Sequence, residues 1–360
     1  MSKRMGYNKQ IGKVIIVIAS AVLMQQSAAW AQTASSVKTD PVAENMLLYQ
    51  RAIGGWPKAV GNIKVDYHKT LPAPDRMATQ EDAYRNDATL DNDATNKEIN
   101  YLVKAYHETQ NGAYLKSAEK GIRYLLKAQE PNGGWPQFYP DTSIYRAYVT
   151  FNDNAMMNAM NLLNQVAQRT GGFEVVDAKL VEPSAKAVNR GIQCILKTQV
   201  KVKGKLTAWC QQYNNHTLQP AAARKFELVG LTAAETVGIV RFLMQIPTPS
   251  PQIQTAIESA VAWLNQVKIT GYRFEHIQDA SQPTGRDGVL VPDANAIIWA
   301  RYYEIGSNKP FFSGRNSELK YNLTEIENER RAGYAWYGTW PQQLLEKDYP
   351  EWLKRNNIHH

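Results

Sequence analysis

Two short segments of the chain concentrate side-chain oxygens in the same way: TLDNDAT at residues 89–95 and TFNDNAM at residues 150–156. Asp91 and Asp153 each stand beside an Asn, and each precedes a segment with helical periodicity. Capping of a helix start explains a single Asp at such a position. It does not explain several carboxylate and amide oxygens at each start, which suit either a hard cation such as Ca²⁺ or a carboxylate acid/base pair.

A set of arginines in the later part of the chain forms the second group of candidates. Arg301 and Arg315 lie among aromatic residues in WARYYEIG and FFSGRN, and Arg224 lies in AAARKFE. A guanidinium can bind a carboxylate through two parallel hydrogen bonds, so arginines of this kind suit an acidic ligand. A surface ion pair is the simpler interpretation for each of them taken alone.

The sequence shows no motif for a zinc site, a serine nucleophile, or phosphate or dinucleotide binding. The six histidines show no HxxxH or HExxH spacing, and the chain contains no GxSxG elbow, P-loop or dinucleotide fingerprint. The candidates for a site are therefore carboxylates and arginines.

The elements that must position these residues repeat about every 70 residues. GIRYLLKAQ begins at Gly121, GIQCILKTQ begins at Gly191, and a looser relative, AVAWLNQVK, begins at Ala260. A second set of helical segments alternates with the first and begins at Asn96, Asn154 and Thr232. Alternating inner and outer helices predict an all-α fold, a toroid of repeated helical hairpins, with a linear solenoid as the alternative.

The N-terminus carries the pattern of a targeting segment. A basic start is followed by an apolar run at residues 14–24, and Ala29 and Ala31 are spaced as a cleavage site. We expect a signal peptide at residues 1–31, cleaved after Ala31, and a secreted or periplasmic protein with one domain at residues 32–360. A permanent anchor is the alternative, although the run is shorter than the roughly 20 residues that span a membrane.

Charge and cysteine content set further bounds. The formal net charge is +8, and the four positive charges of residues 1–31 reduce it to +4 for the remainder. This balance allows an anionic partner but is too small to indicate a nucleic acid. Cys194 and Cys210 can pair in an oxidising compartment, but a chain of this length does not need a disulfide.

Four segments together resemble a known family. NGGWPQFYP, TFNDNAM, LVPDANAIIWARYYEIGSNKPFFSGRN and EIENERRAGYAWYGTWP resemble, in this order, the calcium-dependent pectate lyases of polysaccharide lyase family ten. The resemblance spans about residues 54–340. It implies an (α/α)₃ toroid with an open cleft, Ca²⁺ as the cofactor, and cleavage of polygalacturonate or pectin by β-elimination. It further implies a monomer that binds neither nucleic acid nor, after signal cleavage, a membrane.

The resemblance also implies roles for individual residues. The metal ligands would be Asp91 and Asp153, the substrate-binding residues Asn92, Arg301 and Arg315, and the base that removes the C5 proton Arg224. Burial beside cations would lower the pKa of Arg224, and activity should rise with pH. Two alternatives stay open: a glycoside hydrolase with Asp91 and Asp153 as acid and base, and a non-catalytic pectin-binding relative. The second follows from Asn214 and Asn215, which stand where relatives have an acidic residue and a histidine.

The tetrapeptide Gly-Gly-Trp-Pro occurs twice, at residues 54–57 and 133–136. Glycine permits backbone conformations closed to other residues, tryptophan supplies a large rigid ring, and proline stops a helix from resuming. We expect Trp56 and Trp135 to pack two hairpin junctions. The alternative is that an indole or a neighbouring aromatic ring stacks against a sugar.

Overall fold

The computed structural model describes Met1, residues 38–141 and residues 143–358. The expected signal peptide and its cleavage site after Ala31 lie outside the described residues. The chain divides into two units, Met1–Thr39 and Asp40–His360, and the helices and strands below belong to the second unit. Among the described residues, no helix is both long and apolar enough to cross a membrane.

Most helices form two layers that alternate along the chain. The outer helices are α1 (Pro41–Tyr49), α4 (Gly112–Ala128), α6 (Val181–Thr198) and α8 (Pro251–Gln266). The inner helices are α3 (Asn96–Thr109), α5 (Ala155–Gln168) and α7 (Ala233–Leu243). The shorter helices α2 (Ala73–Glu81), α9 (Asn328–Gly333) and α10 (Tyr349–Arg355) complete the described helical part. Each helical segment predicted from the repeats falls in one of the inner or outer helices.

The apolar spacing of the outer helices explains the layers. In α4, Tyr114, Ala118, Ile122 and Leu125 are buried, and this spacing places them on one helical face. The helix begins where the side chain of Asn111 accepts a hydrogen bond from a backbone N–H of the first turn. The buried face packs on the inner helix α3, and the opposite face carries charged residues to solvent.

The prediction of an all-α fold is wrong, because antiparallel strands form between and after the helices. The strands are β1 (Ala59–Val60), β2 (Ile63–Lys64), β3 (Val149–Thr150), β4 (Lys201–Val202), β5 (Lys205–Leu206), β6 (Gln212–Tyr213), β7 (Leu231–Thr232), β8 (Ile269–Gln278), β9 (Arg286–Ala300), β10 (Tyr302–Tyr303), β11 (Phe312–Ser313), β12 (Leu319–Lys320) and β13 (Tyr337–Gly338). They pair as β1–β2, β3–β6, β4–β5, β7–β10, β11–β12 and the three-stranded order β13–β9–β8. The protein is therefore a mixed helix and sheet fold and not the purely helical toroid that the repeats predict.

The residue pattern of strand β8 explains why the long hairpin β8–β9 forms. Tyr272, Arg273, Phe274 and Glu275 alternate apolar and polar side chains, which is the period of a strand and not of a helix. Phe274 lies opposite Leu290 in the antiparallel register. The segment after α8 is therefore a sheet element and not a short junction between two helices.

Four buried tryptophans connect the loops to the outer helices. The indole N–H groups of Trp56, Trp135, Trp209 and Trp299 donate hydrogen bonds to the carbonyls of Met46 (2.7 Å), Leu125 (2.8 Å), Ile195 (2.8 Å) and Leu264 (2.8 Å). These carbonyls belong to α1, α4, α6 and α8 in order. Trp56 and Trp135 are 0% exposed, so the packing interpretation of their indoles is confirmed and stacking of either indole on a sugar is wrong.

The glycines before the first two tryptophans lie against the next outer helix. Gly54 has a φ of +113°, and a Cβ there would come within 2.5 Å of the Lys120 carbonyl in α4. Gly133 has a φ of +93° and would clash in the same way with the Arg190 carbonyl in α6. Any larger residue would separate the loop from the helix. The repeated tetrapeptide thus holds each loop between two successive outer helices.

A glutamine just after each of the first three outer helices, α1, α4 and α6, provides the second connection. The Nε2 atom of Gln129 donates to the carbonyls of Gly133 (2.9 Å) and Ala187 (2.8 Å), and so joins α4 to its own loop and to α6. Gln50 joins α1 to α4 in the same way, and Gln199 joins α6 to α8.

Replacement of Gln199 by Ala should destabilise the fold without touching the site. The side chain is 5% exposed and donates to the carbonyls of Thr207 and Ala256, both at 2.9 Å. Loss of a donor to buried carbonyls costs about 1–3 kcal/mol each, so we expect the free energy of unfolding in urea to fall by about 2–4 kcal/mol. Gln168→Ala, on an exposed helical surface, is the control and should change it by less than about 0.5 kcal/mol. Equal effects of the two substitutions would contradict the bridging role.

Candidate active site

Three equivalent junctions build the floor of the site. The backbone N–H groups of Thr89, Thr150 and Thr232 donate to the carbonyls of Trp56 (3.0 Å), Trp135 (3.0 Å) and Trp209 (2.9 Å). A single turn of 3₁₀-helix follows the first two threonines, at Asp91–Asp93 and at Asn152–Asn154. Asp91 is therefore equivalent to Asn152, and Asp153 is equivalent to Asn92. The two carboxylates are offset by one position and are not symmetry mates.

Backbone geometry accounts for much of the Asp and Asn content of these turns. Asn92 and Asp93 have φ values of 52° and 61°, and Asp153 and Asn154 have φ values of 51° and 57°. Asn and Asp tolerate this left-handed region better than other residues with a side chain. Two consecutive left-handed residues turn the chain sharply and direct the side chains at the turn into a cavity. Such backbone strain is common at functional sites.

One cavity brings most of the predicted site residues together. It is lined by Lys58, Asp91, Asn92, Gln137, Phe138, Tyr145, Arg146, Asp153, Arg224 and Glu227. A second pocket shares Asp153 with it and adds Glu235, Arg301 and Trp340, together with Asn154 and Ala234. The two together are called the cleft below. Arg315 lines neither of them.

The residue two positions after each of the four tryptophans contributes to the cleft or its wall. These residues are Lys58, Gln137, Gln211 and Arg301. Lys58 Nζ forms an ion pair with Asp91 Oδ2, and the Asp91 side chain is only 7% exposed. Arg301 donates from Nη2 to Glu235 Oε1 (2.8 Å) and to Asn152 Oδ1 (3.3 Å). A cation thus lies at each end of the cleft, each beside a carboxylate.

Arg224 is held by a neighbouring carboxylate. Its Nε donates to Glu227 Oε2 at 2.7 Å and its Nη2 donates to Glu227 Oε1, while its guanidinium carbon lies 4.9 Å from the centre of the Phe226 ring. The hydrogen bonds from Arg224 to Glu227 raise the pKa of Arg224 above its ordinary value. The lowering of this pKa that we expected from the sequence is not found. The Nη1 atom has no hydrogen bond within the described part of the chain.

Arg315 lies outside the cleft and close to it. Its side chain is 59% exposed, and Nε donates to Glu329 Oε1 at 2.7 Å. Its guanidinium carbon is 5.7 Å from the centre of the Phe226 ring, which also contacts Arg224 and Arg330. The structure therefore places Arg315 in a cluster of guanidinium groups at one edge of the site.

The surroundings of Asp153 in the cleft disfavour the ionised form of its carboxyl group. Partial burial is the main reason that its pKa is raised, and the negative charges of Asp91 and Glu235 raise it further, while Arg301 acts in the opposite direction. Its Oδ1 lies 3.8 Å from Arg301 Nη2, and its Oδ2 accepts a hydrogen bond from Asn152 Nδ2 at 3.1 Å. Burial therefore makes the ionised form of Asp153 costly, and a bound cation would stabilise that form.

Three buried polar atoms of the cleft have no hydrogen-bond partner among the described residues: Gln137 Oε1, Glu235 Oε2 and Arg301 Nε. Buried polar groups are nearly always paired with protein, water or a ligand. Two acceptors and one donor are therefore left for water or for bound molecules, in the same region as Asp153.

Sequence reasoning missed Lys58, Glu227 and Glu235. The signal for Lys58 was its position two residues after a repeated tryptophan, the same position that Arg301 occupies. Glu235 is three residues after Thr232, as Asp153 is three after Thr150. Glu227 has no such repeat signal. Its proximity to Arg224 arises because a tight turn joins them, with the Glu227 N–H donating to the Arg224 carbonyl at 2.8 Å.

Two further expectations concern aromatic rings and cysteines. Phe138, close in sequence to Trp135, lines the cleft, and stacking of a neighbouring aromatic ring on a sugar stays a prediction. Cys194 and Cys210 are both buried and free, so they form no disulfide in this structure.

The guanidinium groups of the cleft suit an acidic ligand, and its carboxylates and amides suit a cation. The sequence profile of the pectic acid lyase family matches residues 50–345, and the chain belongs to this family. A family 10 polysaccharide lyase from Cellvibrio cellulosa is similar in structure, with 31% identity and a TM-score of 0.76 over 92% of this chain and 96% of the other. A mutant of that lyase in complex with trigalacturonic acid is equally similar, with 31% identity and a TM-score of 0.76 over 90% and 96%.

No curated protein matches the chain. The family and the similar structures confirm the prediction of a pectate lyase enzyme related to polysaccharide lyase family ten. Neither the glycoside hydrolase nor the non-catalytic relative finds support in these matches.

Replacement of Asp153 by Asn should stabilise the protein at neutral pH. Because its pKa is raised on folding, the folded state binds this proton more tightly than the unfolded state, and ionisation at pH 7 costs stability. We expect Asp153→Asn to raise the melting temperature at pH 7 in the presence of a chelator. The gain should shrink as pH falls toward the ordinary pKa of a carboxyl group, where the wild-type side chain is protonated in both states.

Asp287→Asn is the matched control with the opposite sign. Hydrogen bonds from Arg331 are the main reason that the pKa of Asp287 is lowered, and Asp287 lies outside the cleft. Its replacement should lower the melting temperature at pH 7, with a loss that shrinks on acidification. A lower melting temperature for Asp153→Asn at pH 7 would contradict the unneutralised charge in the cleft.

Proposed function

We propose that this pectate lyase cleaves polygalacturonate by β-elimination assisted by Ca²⁺, with Arg224 as the group that removes the C5 proton. The observation that carries the proposal is one cavity in which Asp91 and Asp153 face Arg224, with Arg301 beside Asp153. The similar lyase that was solved with trigalacturonic acid supports an acidic sugar chain as the substrate. With its expected signal peptide, the enzyme would act in the periplasm or outside the cell.

The donor set fits a cation that is shared with the substrate. Asp153 carries a raised pKa beside two other carboxylates, and the buried Oε2 of Glu235 has no partner among the described residues. Those residues contain no group of three His, Cys, Asp or Glu side chains placed to hold a metal alone. Asp153 and Asp91 would therefore hold Ca²⁺ together with water and a sugar carboxylate, because Ca²⁺ takes six to eight oxygen ligands.

The chain's own residues would bind the substrate carboxylates. Arg301 is 12% exposed and its guanidinium carbon lies 5.0 Å from the Tyr334 ring centre, so its orientation is fixed before substrate arrives. Its Nε has no partner among the described residues and can donate to a sugar carboxylate. Asn92, at the left-handed turn, presents its amide to the same cavity. Arg315, at the edge, would bind a sugar farther along the chain.

Elimination requires removal of a proton from C5 and loss of the oxygen at C4. A proton next to a carboxylate is a poor acid, because its loss adds charge to an anionic group. A bound Ca²⁺ would supply neutralisation of that carboxylate. Arg301 would stabilise the negative charge that develops as the proton leaves. The C5–H electrons form the C4–C5 double bond, the C4–O bond breaks, and the leaving oxygen takes a proton from solvent.

Arg224 would accept the C5 proton through Nη1, the nitrogen that Glu227 leaves without a hydrogen bond. Only the neutral guanidine can do so, and the raised pKa makes this form scarce at neutral pH. For a base whose pKa lies above the working pH, the unprotonated fraction rises about tenfold for each unit by which the pH increases. This is the reason to expect an enzyme that is more active in alkaline solution.

Digestion of polygalacturonate, followed by ultraviolet absorbance of the unsaturated product, tests the proposal. We expect the rate to rise with pH from about 7 to about 10, to be lost on chelation and to return with Ca²⁺. Arg224→Ala should lower the rate by at least about 10³-fold, the size of a lost general base. Arg146→Ala, which removes another cleft arginine, should cost far less. Product formation by Arg224→Ala at the wild-type rate would refute the assigned base, and full activity in chelator would refute the role of Ca²⁺.

Lys58 should weaken metal binding, because its ammonium already pairs with Asp91. Its replacement by Met leaves Asp91 free beside Asp153, so we expect the apparent dissociation constant for Ca²⁺ without substrate to fall by about tenfold or more. Isothermal titration calorimetry measures this without relying on activity. Lys64→Met, on the exposed strand β2, is the control and should leave the constant unchanged. Weaker Ca²⁺ binding by Lys58→Met would show that Asp91 is not a ligand.

A further inference from the structure

A long stretch of the chain carries positive charge alone. Residues 183–226 contain eight Lys and Arg residues and no Asp or Glu, although the whole chain has 33 acidic residues among 360. The stretch begins in α6, includes the hairpin β4–β5 and ends beside Glu227, just after Arg224. This segment, which runs from an outer helix to the candidate base, therefore contributes positive but no negative side chains to the protein.

The hairpin β4–β5 is an insertion in the repeat. Tryptophan follows the helix-ending glutamine by six positions at Gln50 and Gln129, but by ten positions at Gln199. The additional residues form the hairpin with Lys203 and Gly204 at its turn, where both φ values are positive (50° and 80°). Such a turn favours Asn or Gly at both positions. A lysine in the first position costs conformational energy and gains nothing for the hairpin itself.

The lysines of this insertion are directed to solvent. Lys201, Lys203 and Lys205 are exposed, as is Lys197 at the end of α6. None of the four forms an ion pair within the described part of the chain. Val202 and Leu206 are partly buried and anchor the hairpin on the fold. The arrangement concentrates positive charge on a rigid projection.

A groove continues from this hairpin toward the segment of the candidate base. It has a volume of about 680 Å³, within the range of ligand-binding pockets. Lys197 and Lys201 line it together with Leu218, Gln219 and Pro220. Arg224 follows Pro220 by four residues. A second groove on the other side of the hairpin is lined by residues 201–207 and by α8.

We propose that the lysine hairpin β4–β5 and the adjoining groove bind a distant part of a polyuronate chain while another part occupies the cleft. This inference rests on the proposed function for the identity of the polymer. A polymer with one carboxylate on each sugar matches a hairpin whose charged side chains are all lysines. Its apolar sugar faces match Leu218 and Pro220, which line the adjoining groove. The gain would be a higher local concentration of polymer at the cleft.

The test compares a long and a short substrate. The variant carries Lys201→Gln, Lys203→Asn and Lys205→Gln, and asparagine is chosen for the second substitution because it suits the left-handed turn position. The control carries Lys116→Gln, Lys127→Gln and Lys179→Gln, which removes three exposed lysines elsewhere. We expect the hairpin variant to raise KM for polygalacturonate about tenfold at low salt, as three exposed ion pairs can account for. Its kcat, and its kcat/KM on trigalacturonate, should match those of the control.

A binding measurement separates failure of this inference from failure of the proposed function. Retardation in a gel that contains polygalacturonate is measured with chelator, in an Arg224→Ala background, so that it depends on neither catalysis nor metal. We expect the hairpin variant to be retarded less than the control, with the difference abolished by about 0.5 M NaCl. Equal retardation of the two proteins, or equal KM values on the polymer, would overturn the inference even if unsaturated product forms.

Discussion

The structure depends on one repeated interaction, the hydrogen bond from a buried indole N–H to a carbonyl of an outer helix. A buried indole must find such a partner, and its large ring fills the junction at the same time. Four tryptophans do this at successive outer helices, and their distances from the helix carbonyl lie between 2.7 and 2.8 Å. Once each tryptophan is fixed, the direction of the chain after it is fixed as well. The residue two positions later is then delivered to the cleft or its wall, whatever its chemistry.

A repeated scaffold therefore carries a site that is not symmetric. The delivered positions hold Lys58 and Arg301 at the ends and two glutamines between them, while the positions three after the repeated threonines hold Asn92, Asp153 and Glu235. Equivalent places in the repeat therefore carry different charges. A polymer with a direction needs such asymmetry, because its successive sugars must meet different groups. The repeat fixes where the backbone places these side chains, and the different residues at equivalent positions give the cleft its chemical groups.

The sequence predicted the features that recur with the repeat and missed those that do not. The inner and outer helices were predicted from their apolar spacing, and Asp91, Asp153 and Arg224 were expected in one cleft, where they lie. The all-α class was wrong because the helical repeats concealed the strand period of residues 269–278. The pairing of Arg224 with Glu227 was missed because neighbours at that spacing can equally point apart in a loop. The tight turn that brings them together, which the residue pattern does not reveal, allows the hydrogen bonds that raise the pKa of Arg224.

That pairing also constrains how Arg224 can act. A free guanidinium has five donors and many rotamers, so it could meet a substrate in many ways. Glu227 occupies Nε and Nη2, and Phe226 supports one face of the guanidinium at 4.9 Å, which leaves one nitrogen in one orientation. The same hydrogen bonds raise the pKa of Arg224 and so make the neutral form, which the proposed base needs, rarer. Glu227 therefore fixes the orientation of Arg224 but lowers the fraction of Arg224 that is neutral. A fixed orientation would favour the proposed reaction only when the proton to be removed lies in one fixed place. The carboxylate-binding groups of the cleft would establish that condition.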